Sequence, residues 1–126
     1  MEKIVKRIYI GAGIYGLLVL IPQLFVGEGM IATDAPPALN HTEFFYAFNW
    51  LAIAWQITFF LIAQDPKRYR AIMFGTVLEK AGFGFLTVYY HFFKSISPSL
   101  LLGGIIDLCL MCAFIFCILK TENSEK

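Results

Sequence analysis

Charge is what this sequence has least of. Only 15% of its 126 residues are Asp, Glu, Lys or Arg, against about 25% in ordinary soluble domains. The formal net charge is +1, which leaves no electrostatic footing for a nucleic-acid partner. The chain also lacks a glycine-rich phosphate loop, a nucleophile elbow and zinc-site spacing, so no motif points to an enzyme class or a metal. What is there instead is apolar. Hydrophobic residues make up 59% of the chain and the mean hydropathy is +0.70. A soluble domain this small has too little interior to hide that much apolar surface. The expected solvent is a bilayer.

Four stretches reach the length of about 20 residues needed to cross a hydrocarbon core. They run approximately 8–26, 44–63, 70–93 and 99–119. The first has a basic start but no small-residue cleavage site after it, so it reads as a retained helix rather than a signal peptide. The whole chain, 1–126, reads as one transmembrane domain. Basic residues set the expected orientation. Lys3, Lys6 and Arg7 precede helix 1, Lys67, Arg68 and Arg70 fill the turn between helices 2 and 3, and Lys120 and Lys126 follow helix 4. The first loop, "GEGMIATDAPPALNHTE", has no Lys or Arg, and the last connection holds only Lys94. This asymmetry predicts both termini in the cytoplasm. Short connections favour an all-α, up-down-up-down four-helix bundle, N-in and C-in.

Local signals mark the boundaries. Gly27 and Gly29 are expected to end helix 1, and Pro36-Pro37 cannot continue it. Thr42 is a candidate N-cap for helix 2, with Glu43 favoured at the positive end of the helix dipole. Asp65-Pro66 breaks the chain before helix 3, and Ser97-Pro98 offers an N-cap and a first-position proline for helix 4. The polar tail "KTENSEK" is expected to fray.

Inside this apolar frame stand Glu79 and Lys80, adjacent and mid-helix. A charge at the centre of a membrane helix costs about 2.5–3.5 kcal/mol and a strongly apolar residue returns about 0.3–0.6. Helix 3 alone is therefore near break-even and needs polar partners. Consecutive residues point about 100° apart, so the two charges face different ways. Lys80 shares a stripe with Thr76, Gly84, Thr87 and His91, while Glu79 shares one with Gly75, Gly82 and Phe83. Candidate partners at similar depth are Asp107 on helix 4, Asn49 and Gln56 on helix 2, and Tyr15 on a small-residue face of helix 1 with Ala12, Gly16 and Val19. The expected pairing is Lys80 with Asp107, with Glu79 reaching Gln56, Tyr15 or the same lysine. Such a cluster is either an ion pair that fixes helix register, a lining for a ligand, ion or proton, or one half of a contact with another subunit.

Other features carry less. Cys109 and Cys112 form a C-x-x-C within helix 4, a pattern some quinone-coupled membrane oxidoreductases use, but the loop cysteines those enzymes need are absent. Buried cysteine is often a small apolar filler. His41 and His91 fall near the outer face, where two histidines on adjacent helices could ligate haem or a metal. Interfacial histidines that do neither are commoner. The segments "EFFYAFNW" and "VYYHFF" read as an outer aromatic belt, with Tyr69 on the inner side.

The stretch "AWQITFFLIAQDPKRYRAIMFGTVLEK", followed by the aspartate of "GGIIDL", resembles small bacterial four-helix membrane proteins of uncharacterised function, and more loosely the DoxX-like group. The resemblance covers helices 2 to 4. It implies a bacterial inner-membrane location and an accessory role beside a redox or transport partner. No catalytic residue or cofactor transfers with it. The expected function is binding of a small molecule or lipid at the intramembrane polar cluster, within a homo-oligomer or larger membrane assembly. The alternatives are a membrane-embedded acid/base enzyme acting through Glu79 or Asp107 on a lipophilic substrate, and a proton-coupled transporter.

Overall fold

The computed structural model describes the backbone of residues 1–34, 42–94, 96 and 98–124; side chains within 26–34, 42 and 122–124 are not described. Four helices follow in order: α1 (Glu2–Asp34), α2 (Thr42–Gln64), α3 (Arg70–Phe93) and α4 (Pro98–Ser124). Each contains a span long and apolar enough to cross a membrane, Glu2–Phe25, Glu43–Gln64, Arg70–Phe93 and Pro98–Thr121. Large apolar side chains such as Phe25, Leu18 and Leu78 stand out from the bundle almost fully exposed. The chain is a multi-pass membrane protein.

Several boundaries differ from the sequence reading. The glycines at 27 and 29 do not end α1, which runs on to Asp34. A glycine in a helix costs only about 1 kcal/mol, and this helix also carries a single proline, Pro22, in its interior. Its described residues end at Asp34, just before the paired Pro36-Pro37, where each proline disfavours helix in the residue before it. At the other end, α4 extends through Lys120–Ser124, which were expected to fray. Helix α1 also starts at Glu2, ahead of the predicted boundary, with Lys6 bridging back one turn to Glu2 at 3.0 Å. The predicted cap at Ser97 lies outside the described residues, and Thr42 is the first residue of α2 rather than a flanking cap. Between α2 and α3, Asp65 does what a turn aspartate does. Its side chain accepts from the Arg68 N–H at 3.2 Å and its carbonyl from the Tyr69 N–H at 3.1 Å.

The helices form a ring in chain order, with α1 against α2 and α3 against α4 as the extensive interfaces and α1–α4 and α2–α3 as the lesser ones. Cross-helix contacts give the direction of each pair. Gly13 faces Phe60 while Gly16 faces Gln56, and Gly75 faces Trp55 while Phe83 meets Phe48. Partner numbers fall as the first number rises, so neighbours are antiparallel. The architecture is an all-α, up-down-up-down four-helix bundle. Met1, Glu2, Pro66, Lys67, Lys120 and Thr121 consequently meet around one small hollow of about 10 Å³. The start of α1, the Lys120–Thr121 end of α4 and the basic α2–α3 turn lie at the same end of the bundle.

The core is densest towards that basic end. The Tyr9 and Phe114 rings stack at 4.5 Å, and Phe59 meets both edge-on at 5.8 and 5.1 Å. Ile62, Met73, Val5 and Cys117 close around them. Between helices already in lipid there is little hydrophobic driving force, so this packing contributes through dispersion contacts and polar bonds. The Tyr9 hydroxyl crosses the bundle diagonal to the Thr76 hydroxyl at 2.9 Å. Tyr9→Phe keeps the ring stack and removes only that bond. Its expected cost is about 0.5–1.5 kcal/mol, read from thermal unfolding in detergent.

Candidate functional site: a buried polar layer

On α3 the buried residues are Met73, Thr76, Lys80, Gly84 and Thr87. Their spacings of three and four residues make one inward stripe, and Lys80 sits at its centre. The predicted stripe is correct through Thr87 and wrong at its end, because His91 is exposed. By that point the inward line has reached the rim of the span.

Asp107 meets Lys80 because α3 and α4 approach almost backbone to backbone. A Cβ added at Gly104 would run into the Thr87 side chain, and one at Gly84 would lie 3.0 Å from the Gly104 carbonyl oxygen and 2.7 Å from Leu108. A side chain at either glycine would force its neighbours to move. One turn on from Gly104, the Asp107 carboxylate accepts from the Lys80 ammonium at 3.4 Å. Glu79 turns to the same ammonium at 3.5 Å, an ion pair without a well-formed hydrogen bond. Below them the ammonium faces the Phe59 ring at 5.5 Å, a cation–π contact that gains from burial. The Lys80 side chain is 5% exposed, Asp107 12% and Glu79 20%.

Of the three partners expected for Glu79, the structure selects the lysine. Gln56 is fully buried, but its amide donates to the Ala52 carbonyl on its own helix at 2.9 Å. The side-chain oxygen is thereby directed at the backbone of Gly16, where any Cβ would collide with it. Asn49 behaves alike, donating to the Phe45 carbonyl at 2.9 Å. Both amide oxygens, Asn49 Oδ1 and Gln56 Oε1, are left buried without a hydrogen-bond partner, as is Glu79 Oε2. Tyr15 is half-buried. Val19, placed on the inward face of α1 from sequence, is exposed, and Gly13 takes that role lower down.

The aromatic trio beneath the layer was not anticipated. Its members nevertheless share the phase of the polar residues, Tyr9 seven before Gly16, Phe114 seven after Asp107, and Phe59 three after Gln56. Extending each polar stripe by a turn or two would have found them.

The remaining candidates fall elsewhere. Cys109 and Cys112 are exposed on the outer face of α4, while Cys117 is buried in the aromatic core; all three are free thiols. His91 is exposed and His41 lies outside the described residues. Among the described residues no group of three His, Cys, Asp or Glu could hold a metal ion. A groove of about 130 Å³ lies on the outer face of α2–α3, lined by Leu51, Ala54, Trp55, Thr58 and Ile72.

No protein-family model matches this chain, and no curated protein or solved structure does either. The functional reading therefore stands on the layer itself.

Proposed function

We propose that this chain is a bacterial inner-membrane protein, with both termini in the cytoplasm, that binds a small molecule or lipid at the Glu79–Lys80–Asp107 layer as an accessory part of a larger membrane assembly. One observation carries the reading. An apolar bundle holds three ionisable side chains and two buried amides, and the two amide oxygens have no hydrogen-bond partner. Buried polar atoms without a partner are rare in a bundle that only packs, and here two amide oxygens are left so. Intramembrane ionisable residues are costly and mark ligand, ion or proton pathways by default. Gathering of Lys67, Lys120 and the α1 terminus at one end supports the orientation through the positive-inside rule.

The test is native mass spectrometry of protein extracted in a mild detergent, with an absorption spectrum of the same sample. A bound molecule of defined mass is expected. It should disappear in the Lys80→Met, Asp107→Asn double variant while that variant keeps its helix content. A bare protein in both samples would leave the layer a register-fixing ion pair and sink the proposal. For the orientation, a carboxyl-terminal green fluorescent protein fusion should fluoresce in bacterial cells and a phosphatase fusion should be inactive; the reverse pattern refutes it.

A further inference from the structure

We propose that the basic end of the bundle binds anionic phospholipid, with Lys67 and Lys120 as the main headgroup contacts and Lys3 and Arg7 extending the surface along α1. The inference does not depend on the polar layer. The formal net charge of +1 conceals an uneven distribution. Seven basic residues stand at this end, on the start of α1, the α2–α3 turn, the first position of α3 and the last turns of α4, against Glu2 and Asp65. The tail beyond Thr121 adds Glu122, Glu125 and Lys126 and reduces the excess by one. The sequence around the other two connections holds Lys94 alone against Glu28, Asp34 and Glu43.

The acidic groups at this end are already engaged. Glu2 is bridged to Lys6 at 3.0 Å, and the Asp65 carboxylate accepts from the Arg68 N–H within its turn. Arg70 is engaged as well, its Nε donating to the Ile118 carbonyl at 3.4 Å. Among the described residues no carboxylate pairs with Lys3, Arg7, Lys67 or Lys120. Lys67 and Lys120 line the same hollow as Met1, Glu2 and Thr121. Two ammonium side chains from different elements thus converge where the one lining carboxylate is held by Lys6. The hollow, of about 10 Å³, admits one water-sized group. A phosphate oxygen fills it, with the rest of the headgroup outside.

Depth assigns the anion to a lipid. The Lys120 ammonium stands over the Phe116 ring at 5.6 Å, and Phe116 is exposed on the outside of the bundle. In a membrane that ring is covered by acyl chains, so the ammonium falls at the boundary between chains and headgroups. Lys3 and Arg7 repeat the arrangement on α1. Both are exposed, whereas Val5 and Tyr9, two residues on from each, are buried. Spacings of four, three and four carry the Lys3–Arg7 side of the helix on to the exposed Ile10 and Ile14. A cation at the foot of a lipid-facing stripe lies where a phospholipid carries its phosphate. Setting the topology of the spans uses only the number of basic residues near their ends; it does not require that they stay unpaired beside lipid-facing side chains. Attraction to an anionic membrane surface amounts to about fivefold in affinity per basic residue.

The test is native mass spectrometry of the full chain in a mild detergent, titrated with phosphatidylglycerol and, separately, with phosphatidylcholine of the same acyl chains. Phosphatidylglycerol should bind about tenfold more tightly or better. The Lys67→Gln, Lys120→Gln double variant should lose about tenfold or more of that affinity, whereas Lys94→Gln, at the other end, should keep it. Raising the ammonium acetate concentration should release phosphatidylglycerol selectively, because salt screens exposed charge. This arm uses the natural chain and serves if the double variant does not fold. Equal binding of the two lipids, or phosphatidylglycerol binding that neither salt nor the double substitution weakens, would overturn the proposal. Displacement of the lipid by equimolar inorganic phosphate would overturn its lipid chemistry. The Lys80→Met, Asp107→Asn variant should still bind phosphatidylglycerol; loss in that variant alone would move the lipid to the polar layer, overturning this inference and supporting the binding reading above.

Discussion

Lys80→Met should be the most damaging single substitution in the polar layer, costing about 3–5 kcal/mol, the range for breaking a buried ion pair by removing one partner. The reason is the arrangement of charge. Lys80 alone neutralises both Glu79 and Asp107, so its loss leaves two carboxylates facing each other in an apolar interior. Removing a carboxylate has a different consequence. Asp107→Asn leaves Lys80 paired with Glu79, charges balanced, and its expected cost is about 1–3 kcal/mol from the lost hydrogen bond and an imperfectly satisfied amide. Combining Lys80→Met with Asp107→Asn leaves one carboxyl group in place of two facing each other and should recover much of the stability that Lys80→Met loses. Thermal or detergent-titrated unfolding of the four proteins, followed by circular dichroism, gives the cycle. If Lys80→Met lies within about 1 kcal/mol of the natural chain, the ion pair behaves like an exposed one and the layer is hydrated.

Gly104→Leu should separate α3 from α4 and disperse the layer with it. Overpacking a filled interior typically costs about 1–3 kcal/mol. Gly104 lies at the high end, because its neighbours cannot yield independently. Its missing Cβ is the space that the Thr87 side chain occupies, and Thr87 is held by its bond to the Gly84 carbonyl. Gly84 in turn lies against the Gly104 backbone and Leu108. The substitution should lower the melting temperature and also mimic the ligand loss of the double variant, since the Lys80–Asp107 contact depends on this crossing one turn away. Gly82→Leu is the control. A Cβ there meets nothing within 4 Å, and its effect should be small. Equal melting temperatures for the two leucine variants would show that the close approach does not support the bundle.

The two predictions separate what was legible in the residues from what was not. The number of helices, their rough limits and the polar residues on each inward stripe follow from runs of apolar residues and spacings of three and four. Lys80, Thr76, Gly84 and Thr87 could be assigned to one stripe because a helix fixes their directions whatever surrounds it. Asp107 could be proposed as partner from depth alone. The same reasoning failed where two local signals competed. Gly27 and Gly29 looked like a helix end, but glycine only weakens a helix, and α1 carries both of them, and Pro22 before them, as far as Asp34. His91 was carried too far along its stripe, to the rim of the span, whereas Val19 stands at a depth where Ile53 and Asn49 are still buried and is exposed because it is turned away from the bundle.

Sequence alone determined that this chain must live in a bilayer, as four antiparallel spans with their basic ends together, because apolar length and charge placement are properties of single segments. Tertiary structure decided which polar atoms meet. Whether Glu79 turned to Gln56, Tyr15 or Lys80 depended on how closely the helices approach, and that is set by contacts between segments: Gly104 against Thr87, Gly16 against Gln56, Trp55 over Gly75. It also decided which atoms remain unmet. Buried amides bonded to their own helices leave only acceptors facing the interior, a shortage of donors that no spacing of residues along the chain could have revealed.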